Sequence, residues 1–222
     1  MARSMNPSLW SGFERQNQSL AGPVRAGLAA ICGESWQHAR FLNMLSLLEH
    51  IGSRKIMACG AMTEPDHDIL KHLAEETRHA YFFKRAAEKL ARRPLDYSHP
   101  NTMADACARS YMGRLDAEIA RELASATSVL PYLYMSLVVE LRAVWTYHLY
   151  QTVLSEQNAG FTLKSVLAEE ELHLSAMVAR LTDLDRNVAA RIALFAQVEE
   201  ARFRSLWSQI HQETVNHRLA AE

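Results

Sequence analysis

Two short stretches carry the chemistry of this chain. They are Glu75-Glu76-Thr77-Arg78-His79 and Glu169-Glu170-Glu171-Leu172-His173, and each reads E-E-x-x-H. On a helix, residues three apart lie on one face about a turn from each other, so Glu76 with His79, and Glu170 with His173, can each grip one cation. A further glutamate precedes each pair inside an apolar stripe. Glu49 falls among Leu42, Leu45, Gly52 and Ile56, and Glu140 among Leu133, Leu137, Val144 and Tyr147. The spacing repeats, with 27 residues from Glu49 to Glu76 and 30 from Glu140 to Glu170. A lone carboxylate moved into an apolar interior is costly and takes up a proton instead. Four of them converging are tolerable with two divalent cations between them, whose charge balances theirs. Mixed carboxylate and imidazole donors suit iron or manganese.

Helices must position these groups. The chain has 222 residues but only 8 Gly and 6 Pro, too few turn residues for a sandwich or barrel. Apolar residues make up 49% and recur at helical spacing between the few breakers, so the expected class is all-α. Pro23 suits a first helical position and opens a short helix to Cys32. Long helices are expected over about 35–59, 65–92, 131–156 and 162–181, with Gly60 ending the first and Thr63 to Pro65 starting the second. A crossover helix is expected at about 102–123, and a last one from Asn187 to about His217. Short turns join the long helices in pairs, and one long connection joins the pairs, which is a four-helix-bundle topology. Three parts follow: an N-terminal arm and short helix over 1–34, the bundle over 35–182, and a C-terminal helix over 183–222 packing on it.

The doubled pattern of a Glu on one helix and Glu-x-x-His on the next resembles the ferritin-like di-iron or di-manganese carboxylate proteins, over roughly residues 35 to 182. The resemblance implies metal ligands at Glu49, Glu76, His79, Glu140, Glu170 and His173, with the glutamates of the E-x-x-H units bridging two ions. Glu75 to Ala80, EETRHA, is similar to the EExRHG segment of acyl-carrier-protein desaturases. Glu140 to Tyr150 and Glu169 to Leu174 look like segments of the aldehyde-deformylating oxygenases. The implied function is a non-haem dinuclear-metal oxidoreductase that activates dioxygen to oxidise or hydroxylate a small apolar substrate, with electrons from an external donor. The alternatives are a ferroxidase or other iron-handling protein, and manganese or peroxide chemistry.

The remaining residues receive plainer readings. Tyr147 lies two turns beyond Glu140 on the same face, and reads as a core tyrosine or a donor to a ligand. Arg78 and Arg142 are candidates for pairing with carboxylates behind the ligands, or for surface ion pairs. His72, a turn before Glu76, lines the site's mouth or is an ordinary half-buried histidine. His50 is expected between helices. Glu75, Glu169 and Glu171 are expected on the solvated face or behind the ligands. A formal charge of −1 gives no basic excess for nucleic acid. No G-x-G-x-x-G or Walker loop is present for a flavin or nucleotide. Cys32, Cys59 and Cys107 form no C-x-x-C pair, in keeping with free thiols in the cytoplasm. No apolar stretch reaches the roughly 20 residues of a membrane span. A homodimer through Phe195, Val198 and Leu206 of the last helix is a further expectation.

Overall fold

The computed structural model describes residues 7–59, 65–124 and 129–221. Gly60 and Thr63, and residues 1–6 of the expected arm, lie outside them. The fold is all-α, with no strand among the described residues. The helices are α1 (Pro7–Gln16), α2 (Gln18–Cys32), α3 (Ser35–Ala58), α4 (His67–Ala91), α5 (Asp105–Glu122), α6 (Val129–Glu156), α7 (Lys164–Leu184) and α8 (Val188–Ala221). None is long and apolar enough to cross a membrane.

The two longest pairings set the centre of the molecule: α3 packs along α4, and α6 along α7. The starts of α3 and α4 are fixed by carboxylate caps, which satisfy first-turn N–H groups. Glu34 accepts from the N–H groups of Trp36 and Gln37, and Asp66 from that of Ile69. Arg92, in the left-handed region, ends α4. The connection from α4 to α5 is tied to α3 through Asn43, whose Nδ2 donates to the Asp96 and Asn101 carbonyls and to the Thr102 hydroxyl. α6 is buried on nearly every face, because α2, α5, α7 and α8 surround it.

Three expectations change. The region before Pro23 is not an irregular arm: residues 7–22 form α1 and the start of α2, and Pro23 lies inside α2. Leu20, Val24, Leu28 and Ile31 form one buried face there, and Phe13 joins the same core from α1. Continuing that face outweighs the single backbone hydrogen bond that proline removes. Phe195 and Leu206 cannot form a dimer face, since both are buried within the protomer, Phe195 edge-on to Tyr134. His50 is exposed and stacks on Tyr97 rather than lying between helices.

Candidate metal centre

On α4 the residues His72, Glu76 and His79 fall four and three apart, so one stripe points all three inward, and Glu75 lies beside it. Glu49 on α3, Glu140 on α6, and Glu170 with His173 on α7 face the same point from three other helices. All six residues of the sequence pattern are buried, and so is His72. They form two groups: His72, Glu76, Glu140 and His173 in one, and Glu49, Glu76, His79 and Glu170 in the other. Within each group the donor atoms lie no more than 4.8 Å apart, about twice the bond from a small divalent ion to oxygen or nitrogen. Glu76 belongs to both. Glu170 spans the histidines, with Oε1 2.9 Å from His79 Nδ1 and Oε2 2.9 Å from His173 Nδ1.

Each imidazole is held from outside. His79 Nε2 lies 2.7 Å from Glu169 on α7, and His173 Nε2 lies 2.7 Å from Glu75 on α4. The first glutamate of each E-E-x-x-H thus braces the histidine of the other. His72 follows the same plan, with Nδ1 2.9 Å from the Tyr132 hydroxyl and Nε2 3.2 Å from Glu140. A carboxylate behind a ligating imidazole fixes its ring orientation and raises its basicity. Tyr147 donates to Glu49 Oε1. Gly52 leaves room for Glu76, whose Oε2 would lie only 3.2 Å from a β-carbon at that position.

Burial pushes the Glu49 carboxyl well above the usual carboxylate range, and the neighbouring Glu76 adds to it. Glu170 moves the same way, by burial and then by the charges of Glu140 and Glu76. Burial acts to raise Glu140 as well, but His173 and His72 beside it reverse the sign and hold it well below that range. Burial would lower the histidines, yet the carboxylates around them win: His72 rises to about 12, His173 to about 10, and His79 also rises. With no cation bound, the carboxylates thus favour charged imidazoles.

That compensation is incomplete. Glu76 Oε1, His79 Nδ1 and Glu170 Oε1 are buried without a hydrogen-bond partner among the described residues. His79 Nδ1 and Glu170 Oε1 are close, but their geometry does not make a hydrogen bond. Leaving such atoms unsatisfied costs about 1–3 kcal/mol each. A cation binding there would displace the imidazole proton and take up these donor atoms, so each of the two groups could hold a metal ion.

Three cavities reach the cluster, one of them a pocket of about 130 Å³ against His72, Glu75 and His173. A mouth of about 270 Å³ is lined by Lys55, Cys59, His72, Asp116, Tyr132 and Glu140, among others. A narrower slot of about 80 Å³ runs between α3, α5, α6 and α8, and Glu49, Glu76, Glu140 and Tyr147 line its inner part.

Arg78 is half-exposed and lies 2.5 Å from Glu169, the carboxylate that holds His79. Arg142 pairs with Glu199 of α8, away from the ligands. Glu171 lies near His148 at the surface, but Glu75 is buried rather than solvated. Glu75 and Glu169 take the second of their two expected places, behind the histidines, but which histidine each faces is not legible from spacing, nor is the role of Tyr132. The signal for the first two was the doubled glutamate in both halves, and Tyr132 had none. In comparison with known proteins, the chain matches no family model, and it has no significant match to a curated protein or a solved structure.

Proposed function

We propose that this chain is a ferritin-like dinuclear-metal oxidoreductase that activates dioxygen to oxidise or hydroxylate a small apolar molecule. Its four-helix core would be the hairpins α3–α4 and α6–α7, joined by the long connection that carries α5. Glu49, Glu76, His79, Glu140, Glu170 and His173 would hold two iron ions, or manganese, and His72 stands within reach of one. Bound there, the metal pair supplies the redox capacity to reduce dioxygen, with electrons from an external donor.

The observation that carries this reading is the convergence of three orphaned buried atoms, Glu76 Oε1, His79 Nδ1 and Glu170 Oε1, between imidazoles braced from behind. The chain's own groups have separate tasks. Glu75 and Glu169 keep the His173 and His79 rings aimed inward. Tyr147 fixes Glu49. The carbon walls of the slot exclude water and present an apolar substrate beside Glu49 and Glu140. That slot favours an organic substrate over iron storage, which needs no apolar cavity beside the ligands.

Elemental analysis of purified protein tests the reading, together with a search for a visible absorption band after anaerobic ferrous loading and exposure to air. Two ions per chain and such a band are expected, and Glu170→Ala should lower the metal content. A chain that takes up no divalent metal, or a Glu170→Ala protein with full content, would overturn the assignment.

A further inference from the structure

The slot between α3, α5, α6 and α8 is walled by carbon, from Phe41, Leu45, Phe203, Leu206, Trp207 and Ile210. Arg142 and Thr146 interrupt that lining, and they are 4% and 7% exposed. Arg142 Nη1 and Thr146 Oγ1 are buried without a hydrogen-bond partner among the described residues. For the threonine this is an exception among the described helical threonines. Thr77, Thr152, Thr182 and Thr214 each donate to the carbonyl four residues back, at 2.9, 3.0, 2.7 and 2.8 Å. That bond is the usual recourse of a helical threonine, and Thr146 does not make it.

The rest of the Arg142 guanidinium is fully engaged. Nε lies 3.0 and 3.1 Å from the two carboxylate oxygens of Glu199, and Nη2 lies 2.8 Å from Glu199 and 2.7 Å from Asn17 Oδ1. Phe203 covers its face, with the ring centroid 4.0 Å away. Glu199 is fully buried, so its charge already balances that of Arg142. A ligand anion would place a second carboxylate against one buried cation, at a desolvation cost nothing nearby offsets. A neutral acceptor adds no charge, and one carbonyl oxygen has two lone pairs for two donors.

We propose that the slot binds a slender, uncharged apolar molecule whose carbonyl oxygen, or an equivalent acceptor, is held by Arg142 Nη1 and Thr146 Oγ1. Its alkyl end lies against Glu49 and Glu140. Six residues of α6 separate Glu140 from Thr146, a rise of about 9 Å, which sets the length of chain that joins anchor to cluster. As the substrate class of the site this rests on the oxidoreductase reading; as a binding site it stands on the slot alone.

The test is equilibrium binding of 2-pentanone, n-pentane and pentanoate to the purified full chain by titration calorimetry, with metal content read in parallel. The ketone should bind at least about tenfold more tightly than the hydrocarbon, as two hydrogen bonds, one from a charged donor, provide, and pentanoate more weakly than the ketone. Thr146→Val, nearly the same shape, should lower the ketone preference several-fold, as the loss of one neutral hydrogen bond does, and leave n-pentane unchanged. Ala143→Leu, which fills the slot, should abolish all binding. Pentanoate as the tightest ligand, an undiminished ketone preference in Thr146→Val, or no binding of any probe would overturn the proposal. A chain without metal that still prefers the ketone keeps this site and loses the oxidoreductase reading. A chain with two ions and no probe binding does the reverse.

Discussion

Replacing Glu75 and Glu169 tests the reciprocal bracing of the two histidines. Each accepts from an imidazole Nε2 at 2.7 Å, and a charge-assisted bond of this kind is worth about 1.5–3 kcal/mol. At 1.4 kcal/mol per tenfold, removing it costs about ten- to a hundredfold in affinity for the ion that the imidazole holds. The two positions are not equal. The Glu75 side chain is 11% exposed and that of Glu169 29%, and Glu169 also shares Oε2 with Arg78. Water can stand in for Glu169 more easily. Glu75→Gln keeps a neutral acceptor and should cost about tenfold, while Glu75→Ala should approach a hundredfold. Glu169→Gln should cost a few-fold only. The assay is a competitive cobalt or ferrous titration against a chelator, which resolves two binding steps. Glu75 variants should weaken one step and Glu169 variants the other. Unchanged affinity in Glu75→Ala, or a larger loss in Glu169→Gln than in Glu75→Gln, would refute the bracing.

Two ions, each at a hundred times its dissociation constant, should stabilise the fold by about 5 kcal/mol, and thermal unfolding with and without chelator should differ by roughly 10–20 °C. No shift with ferrous, manganous, cobalt or zinc ions would count against a metal centre. A β-carbon on Gly27 would sit 2.7 Å from the buried Trp207 ring, so Gly27→Ala should lose about 1–3 kcal/mol in urea unfolding; a neutral result would mean that α2 and α8 separate freely. Burial lowers His38 to about 4 from an unfolded value near 6.5. The unfolded chain then binds the extra proton first, so this contribution is complete above pH 6.5 and is lost as pH falls toward 4, by about 3 kcal/mol in all. His38→Gln should flatten that part of the stability curve, and parallel curves for the two proteins would exclude His38 as its source.

How far the sequence reveals this molecule depends on what its periodicity reports. α4, α7 and the second half of α3 each bury one stripe, and the stripe exposes its own anomalies, so Glu49, Glu76, His79, Glu170 and His173 stand out as acids and imidazoles among aliphatics. α6 is buried on most faces, and there the pattern cannot separate the Glu140 face from that of Arg142. Only packing shows that Arg142 turns to Glu199, fifty-seven residues on, and a partner that distant leaves no local mark. α1 reads as a polar arm because Leu9, Trp10 and Phe13 are sparse, yet those few side chains join the core through α2 and α6. Glu75 and Glu169 were obscured for another reason. Each stands one residue, about 100°, from a ligand on its own helix, which by itself places it toward solvent. The facing helix changes that: α4 and α7 bring each such flank over the other's histidine. The bracing thus belongs to the pair of helices and to neither sequence segment alone, which is why the doubled E-E-x-x-H acquires its physical meaning only when the two halves are placed face to face.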